Sequence, residues 1–281
     1  MIGTTAAIQP DGMCTPVVGA WAERKYRLVS EYARMFTSSM RGKWGSLSYI
    51  DLYSGAGRAI VKPSRQLVLT TPTLALQLQQ PFDHYIFCEI DSANMAALQA
   101  RASRDFPTLR PKFVPGDCNQ TVVQVINFLP RPSKVHTTLA FCVVDPFAMR
   151  SLKFATIQAL AQRFMDFLVL IPVYMDAQRN RAIYLRPTDK TVDDFLGTST
   201  WRPVWATVSG LRFGTFIADR FGAQMASLGY NYTGLSDMVV VHHPVKNYPL
   251  YRLAFFSRHP LGHKFWEEAK KGTRAQLQLF E

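Results

Sequence analysis

Four carboxylates stand at the ends of apolar runs in the first half of the chain: Asp51 in YIDLYSGAG, Glu89 in HYIFCEI, Asp117 in KFVPGD and Asp145 in TLAFCVVDPF. Two glycines, Gly55 and Gly57, follow the first of them almost at once. An ionised carboxylate offers two acceptor oxygens and no donor, so it suits the hydroxyl and amino groups of a ligand. Glycine lets the backbone adopt positive φ and come close to that ligand. A row of acceptors beside a glycine turn therefore has the chemistry of nucleotide recognition. Each element also has a purely structural use, since a strand-end Asp caps the next helix and glycine serves tight turns.

Three nucleotide ligands use loops of this kind. A dinucleotide site asks for G-x-G-x-x-G with an acid about 20 residues further on. Here Ile60 occupies the third glycine position, and the next strand-end acid, Glu89, lies 32 residues after Gly57. No G-K-[ST] follows, which excludes a P-loop. S-adenosylmethionine is the better match. Asp51, with Tyr53, Gly55 and Gly57, would face its methionine end. Glu89, beside Ile90, would accept from the ribose hydroxyls, and Asp117, beside Cys118, from the adenine amine. Asp145, with Pro146 and Phe147, falls where a methyl acceptor would lie.

To bring four strand ends together, the elements must alternate. WAERKYRLVSEYARMF has apolar residues mostly at three- and four-residue steps and reads as an amphipathic helix with a basic outer face. Then LSYIDL, HYIFCEI, KFVPGD, TLAFCVVDPF and DFLVLIPV read as five strands. TPTLALQLQQ, DSANMAALQARASR, NQTVVQVINFL and LKFATIQALAQRF read as the helices between them. Thr71 and Pro72 suit the start of the first of these helices, and Asp91 or Ser92 caps the second. The strands are near-continuous apolar runs, as expected when helices cover both faces of a parallel sheet. DMVVVHH and LYRLAFFS form a closing hairpin with Pro244 and Pro249 bounding its turn, and PLGHKFWEEAKKG is a last helix. The expected fold is a seven-stranded, doubly wound α/β domain over residues 17–281. It carries a helical insertion at about 175–235 and a flexible tail over residues 1–16.

The chain has 281 residues, 48 % of them apolar, which is enough for one large core. Its formal charge of +12 favours polyanionic partners, nucleic acid first. Cys14, Cys88, Cys118 and Cys142 fit no zinc spacing, and Cys88 and Cys142 sit in strand-like runs as small apolar residues of a reduced compartment. No metal is expected. The N-terminus lacks a signal-peptide pattern and no apolar run is long enough for a membrane span, so a cytoplasmic location is expected.

Taken together, YIDLYSGAGRA, TPTLALQL, FCEID, CVVDPFAM, DFLVLIPV followed by RN, and PLYRLAFFSRHPLGHKFW resemble the three-Cys-motif partner family. The similarity runs from about Trp21 to Trp266. The family is methyltransferase-like and bacterial or phage-borne, and is named for a neighbouring protein that carries the three cysteines. The resemblance therefore implies a class I methyltransferase-like (Rossmann-like) fold, S-adenosylmethionine as cofactor and a three-Cys-motif protein as partner. It matches Asp51, Gly55 and Gly57 to the first block, Glu89 to the second, and Asp145, Pro146 and Phe147 to the fourth. The last block is similar to the Asp-Pro-Pro-Tyr motif of amino-methyltransferases acting on nucleobases, but Phe147 stands one position early and Ala148 takes the aromatic's place. Two functions follow as expectations: a methyltransferase-like enzyme acting on nucleic acid, or a non-catalytic member of a complex.

Three further groups carry weaker signals. Arg179, Arg181 and Arg186 suit phosphate contacts or a solvated helix face. Trp201, Trp205 and Phe213 suit packing of the insertion, or base stacking. His242 and His243 lack a third ligand and read as structural.

Overall fold

The computed structural model describes residues 9–278, with side chains through residue 272. A central sheet holds β2 (Ser46–Asp51), β5 (His84–Glu89), β6 (Lys112–Pro115), β7 (Thr138–Val144), β8 (Met165–Ile171), β9 (Val239–His242) and β10 (Pro249–Phe256). Their spatial order is β6-β5-β2-β7-β8-β10-β9. All neighbours run parallel except β10, which is antiparallel to β8 and β9. The fold is thus a mixed α/β, Rossmann-like sheet of seven strands. The chain winds outward from β2 through β5 to β6, then returns to β7 on the other side of β2. That reversal puts the topological switch point between the carboxyl ends of β2 and β7, where such sheets leave a crevice.

Alternation along the strands sends side chains into two cores. Ile50, Ile86, Cys142, Val144 and Phe167 point to one face, and Tyr49, Phe87, Phe141, Val143 and Leu168 to the other. The second face is covered by α1 (Trp21–Met40), α2 (Thr71–Leu76), α3 (Ser92–Asp105) and α10 (Pro260–Gln278), through residues such as Tyr32, Leu76, Leu98 and Trp266. The first is covered by α4 (Cys118–Phe128), α5 (Phe154–Leu160), α7 (Thr191–Leu196), α8 (Trp201–Thr207) and α9 (Phe213–Ser227). The short α6 (Arg181–Tyr184) precedes α7. The expected insertion is therefore a layer of this face, and Trp201 and Phe213 are buried in it while Trp205 packs against it. Cys88 and Cys142 are fully buried as expected.

Four expectations need correction. First, a small second sheet links β1 (Val17–Gly19), β3 (Arg58–Lys62) and β4 (Leu67–Leu69), where the sequence reading ran from the glycine loop straight to a helix. β1 supplies the partner of β3, so neither strand is legible alone. Second, the tail expected over residues 1–16 is tied down in its described part: Asp11 pairs with Arg101 at 2.7 Å and with Arg58 at 3.1 Å. Residues 1–8 of that tail lie outside the described residues. Third, α2 is one turn shorter than TPTLALQLQQ suggests; Thr70, not Thr71, occupies the capping position, with Pro72 in the first turn. Fourth, the outer face of α1 is not wholly basic, because Lys25 is buried.

Candidate functional site

A cleft of about 430 Å³ opens at the switch point, lined by Tyr53, Glu89, Ile90, Asp117, Cys118, Asp145, Phe147, Arg150 and Ser151, among others. Seven of the residues singled out from sequence are brought together there, on loops after β2, β5, β6 and β7. Among the described residues no group of three or more His, Cys, Asp or Glu is arranged to hold a metal ion.

The glycine loop splits into two roles. Gly55 has φ +61°, and a Cβ there would meet nothing within 4 Å. Its N–H donates to Glu89 Oε2 at 2.7 Å. Gly57 has φ +80°, but a Cβ there would lie 2.7 Å from Thr73 Oγ1 and 2.9 Å from Leu98 Cδ1. Gly57 thus serves the packing of the loop on α2 and α3, while Gly55 leaves open space beside Glu89. The other Glu89 oxygen, Oε1, accepts from Asp91 N at 2.9 Å. Two backbone donors hold the carboxylate in place, and each oxygen keeps a lone pair for a ligand hydroxyl.

Asp117 caps α4: its Oδ1 accepts from Asn119 N at 2.9 Å and from Asn119 Nδ2 at 2.8 Å. Cys118 is buried, its thiol pushed up to about 12 by that burial, so it is a wall and not a nucleophile. Ile90 and Phe147 are apolar yet 71 % and 80 % exposed. They stand on two walls of the cleft with nothing packed over them, which corrects the alternative of a packed aromatic at Phe147.

Asp51 is fully buried behind the loop. Thr71 Oγ1 donates to it at 2.6 Å and Tyr53 N at 3.2 Å. Burial pushes its carboxyl up to about 7; the Thr71 bond opposes that shift, and the Asp145 charge adds to it. Asp145 forms an ion pair with Lys25, whose side chain is 10 % exposed against 24 % for Asp145. Burial by itself would lower the Lys25 pKa, but the Asp145 carboxylate outweighs it and holds the ammonium above its usual range. Tyr26 and Tyr251 close over the same cation, and both phenols are raised by burial.

The loop after β7 is fixed from two sides. Asp176, buried in the π-turn over Val173–Gln178, accepts from Met149 N at 2.6 Å, from Asn180 Nδ2 at 2.6 Å and from the Tyr184 hydroxyl at 2.5 Å. Ser151 O accepts from the Tyr53 hydroxyl at 2.6 Å and from Asn119 Nδ2 at 2.9 Å. These bonds set where Asp145 and Phe147 stand.

Lys25, Asn119, Asp176 and Arg150 are the site residues that sequence reasoning missed. Lys25 did carry a signal: it falls in register with Ala22, Tyr26, Val29, Tyr32 and Ala33 on the apolar face of α1. The expected metal-free histidines lie elsewhere, His242 exposed at the end of β9 and His243 half-buried beside Trp21. Arg179, Arg181 and Arg186 are exposed around α6.

A second cavity, of about 380 Å³, opens beside the start of β8 and the end of β10. Its walls are mainly apolar, and its acid, Asp166, accepts a bond from the Tyr32 hydroxyl at 2.6 Å. It lacks the row of strand-end acceptors. Among the described residues no helix is long and apolar enough to cross a membrane.

No family model matches the chain, and no curated protein matches it. Among solved structures, the protein LPL1258 from Legionella pneumophila, of the family model DUF519, is similar over 88 % of this chain and 90 % of its own, at 13 % identity and a TM-score of 0.46. EvdMO1 is similar over 82 % of this chain and 40 % of its own, at 9 % identity and a TM-score of 0.40. Likeness at this level carries no functional weight.

Proposed function

We propose that the cleft binds S-adenosylmethionine and that the protein is a methyltransferase-like enzyme whose acceptor is oriented at Asp145. The observation that carries this reading is the pairing of Gly55 with Glu89: open space over a positive-φ glycine, beside a carboxylate whose two oxygens are already aimed by backbone N–H groups. The size of the cleft, about 430 Å³, suits a ligand of this class. The strand order supports it too, with the cleft at the switch point.

Bound there, S-adenosylmethionine supplies an activated methyl on a positively charged sulfur. The chain's own work is positioning and exclusion of water. Glu89 accepts from the ribose hydroxyls, and Ile90 covers the apolar face of the base. Asp117 keeps one oxygen for the adenine amine while the other caps α4. Asp145, held ionised by Lys25, accepts a hydrogen bond from the acceptor and turns its lone pair toward the methyl. Phe147 offers an exposed ring for a flat acceptor to stack on. The +12 charge favours nucleic acid as that acceptor. Work beside a three-Cys-motif protein, and a bacterial or phage-borne setting, belong to the same proposal through the family resemblance.

One observation favours a second reading, a non-catalytic partner: Lys25 already occupies Asp145. Calorimetry with S-adenosylmethionine and its demethylated product, followed by labelled-methyl transfer to cell fractions, separates them. Binding with transfer supports the enzyme. Binding without transfer, with or without the three-Cys-motif protein, supports the partner, and no binding of either ligand overturns both the cofactor and the enzyme. Glu89→Ala is expected to weaken binding by about 1–3 kcal/mol, since it removes a charged acceptor and frees the Gly55 loop.

A further inference from the structure

Four half-exposed rings run along the carboxyl edge of the sheet beside Asp145. Trp21 lies 5.9 Å from His243, His243 lies 5.1 Å from Tyr248, and Tyr248 lies 4.5 Å from Tyr174, each pair tilted by 36–37°. They come from four separate places: the first residue of α1, the turn before β10 at both of its ends, and the π-turn after β8. Both ends of the row are tied to the acceptor loop. Trp21 stands one helical turn before Lys25, which pairs with Asp145. Tyr174 stands two residues before Asp176, which holds Met149 N. Phe147, 80 % exposed, projects from the loop between those anchors.

Cations flank the row. Lys246 lies between His243 and Tyr248 in the turn, Arg179 and Arg181 follow Tyr174, and Arg150 follows Phe147. All four are exposed, and none of them makes an ion pair among the described residues. Packing alone would bury such rings and would leave no reason to border them with unpaired positive charge. Aromatic faces interleaved with free cations are the chemistry that holds unpaired bases and their phosphates.

We infer that this edge is a binding ledge for single-stranded nucleic acid: Tyr174, Tyr248 and His243 stack bases, and Arg179, Arg181 and Lys246 contact phosphates. The ledge deepens the proposed function by naming an unpaired strand as the acceptor's class. It rests on that reading only for the transfer at Asp145; binding stands on the ledge itself. Duplex is disfavoured because its bases are stacked inside the helix and out of reach of the rings.

The test is fluorescence anisotropy with labelled oligothymidylate and oligouridylate of about 16 nucleotides, with duplex and heparin as competitors. Binding is expected at low salt with intrinsic fluorescence quenched, and with single strands preferred over duplex and heparin. Tyr174→Ala with Tyr248→Ala should weaken binding about tenfold or more and leave the salt slope unchanged. Tyr174→Phe with Tyr248→Phe should bind as the wild type, which guards against misfolding of the alanine pair. Arg179→Glu with Arg181→Glu should lower the salt slope by about 2. No binding at about 50 mM salt overturns the ledge. So does an alanine pair that binds as tightly as wild type, or equal binding of heparin without quenching. Calorimetry with S-adenosylmethionine on the same samples keeps the two proposals apart: a lost ledge with cofactor bound leaves the cofactor site standing, and the reverse leaves the ledge.

Discussion

Lys25 and Asp145 each hold the other in its charged form, so neither can be replaced without stranding its partner. Asp145→Asn should cost about 2–3 kcal/mol in stability, because it leaves a buried ammonium without its anion and Asp145 itself is partly hydrated. It should lower methyl transfer by roughly 10²-fold or more and change cofactor affinity only a few-fold, if Asp145 orients the acceptor. Adding Lys25→Met should restore stability without restoring transfer. A double variant no more stable than the single one would mean that the pair is not coupled; denaturant titration decides. Asp51 lies behind the same pair, bonded by Thr71 and Tyr53 and facing Lys25 and Asp145. Unfolded, it titrates near roughly 4; folded, at about 7. The folded state therefore holds the extra proton between those values. Its contribution to stability falls as pH rises through that window and levels off above it. A bound sulfonium would favour the anion and reverse the preference. Affinity for S-adenosylmethionine should therefore rise from about pH 6 to about pH 8, while affinity for the uncharged product stays flat. Parallel profiles in calorimetry would remove Asp51 from contact with the cation.

At the scale of elements, the two glycines of one loop should answer differently to the same change. Gly57→Ala forces a methyl against Thr73 and Leu98 at positive φ, and should cost about 2–4 kcal/mol in thermal or denaturant unfolding. Gly55→Ala meets open space and bears only the cost of φ +61°, about 1 kcal/mol. Its larger effect should be on the cofactor, whose place the methyl would take. Equal stability losses, or an unchanged affinity in Gly55→Ala, would sink this division. The loop after β7 depends on a different element: Asp176 in the π-turn satisfies three donors from three positions. Asp176→Ala should cost about 2–4 kcal/mol and loosen Asp145 and Phe147 without touching the cofactor side. A turn that departs from α-helical spacing is how one buried acid reaches both its own element and a neighbouring loop.

Across the whole molecule, the N-terminal segment acts as a strap. Asp11 binds Arg101, which is 1 % exposed and also donates to Cys14 O and Ala56 O, so the strap, α3 and the glycine loop share one guanidinium. The Arg101 hydrogen bond, against the pull of burial, holds the Asp11 carboxyl well below the usual range. Its stabilisation is complete above roughly pH 4 and is lost as the pH falls below that. Asp11→Ala should therefore lower stability by about 3 kcal/mol at neutral pH, and the gap to wild type should shrink on acidification. A gap that is constant with pH would assign the effect to packing.

The sequence by itself determined the seven strands, their alternation with helices and the acids at their ends. These are local matters: period-2 apolar runs, caps and glycine turns are written in consecutive residues. Asp51, Glu89, Asp117 and Asp145 could be picked out because strand ends in such a sheet meet at one edge. What the tertiary structure decided is everything that depends on a partner far along the chain. β1 and β3 are strands only because they pair across more than 40 residues. Lys25 is a site residue only because Asp145, 120 residues away, offers a charge to offset its burial. The row from Trp21 to Tyr174 exists only in the fold, since ring spacing depends on four elements meeting at one edge. Periodicity fixes which face a residue takes; only packing fixes which residue it meets there.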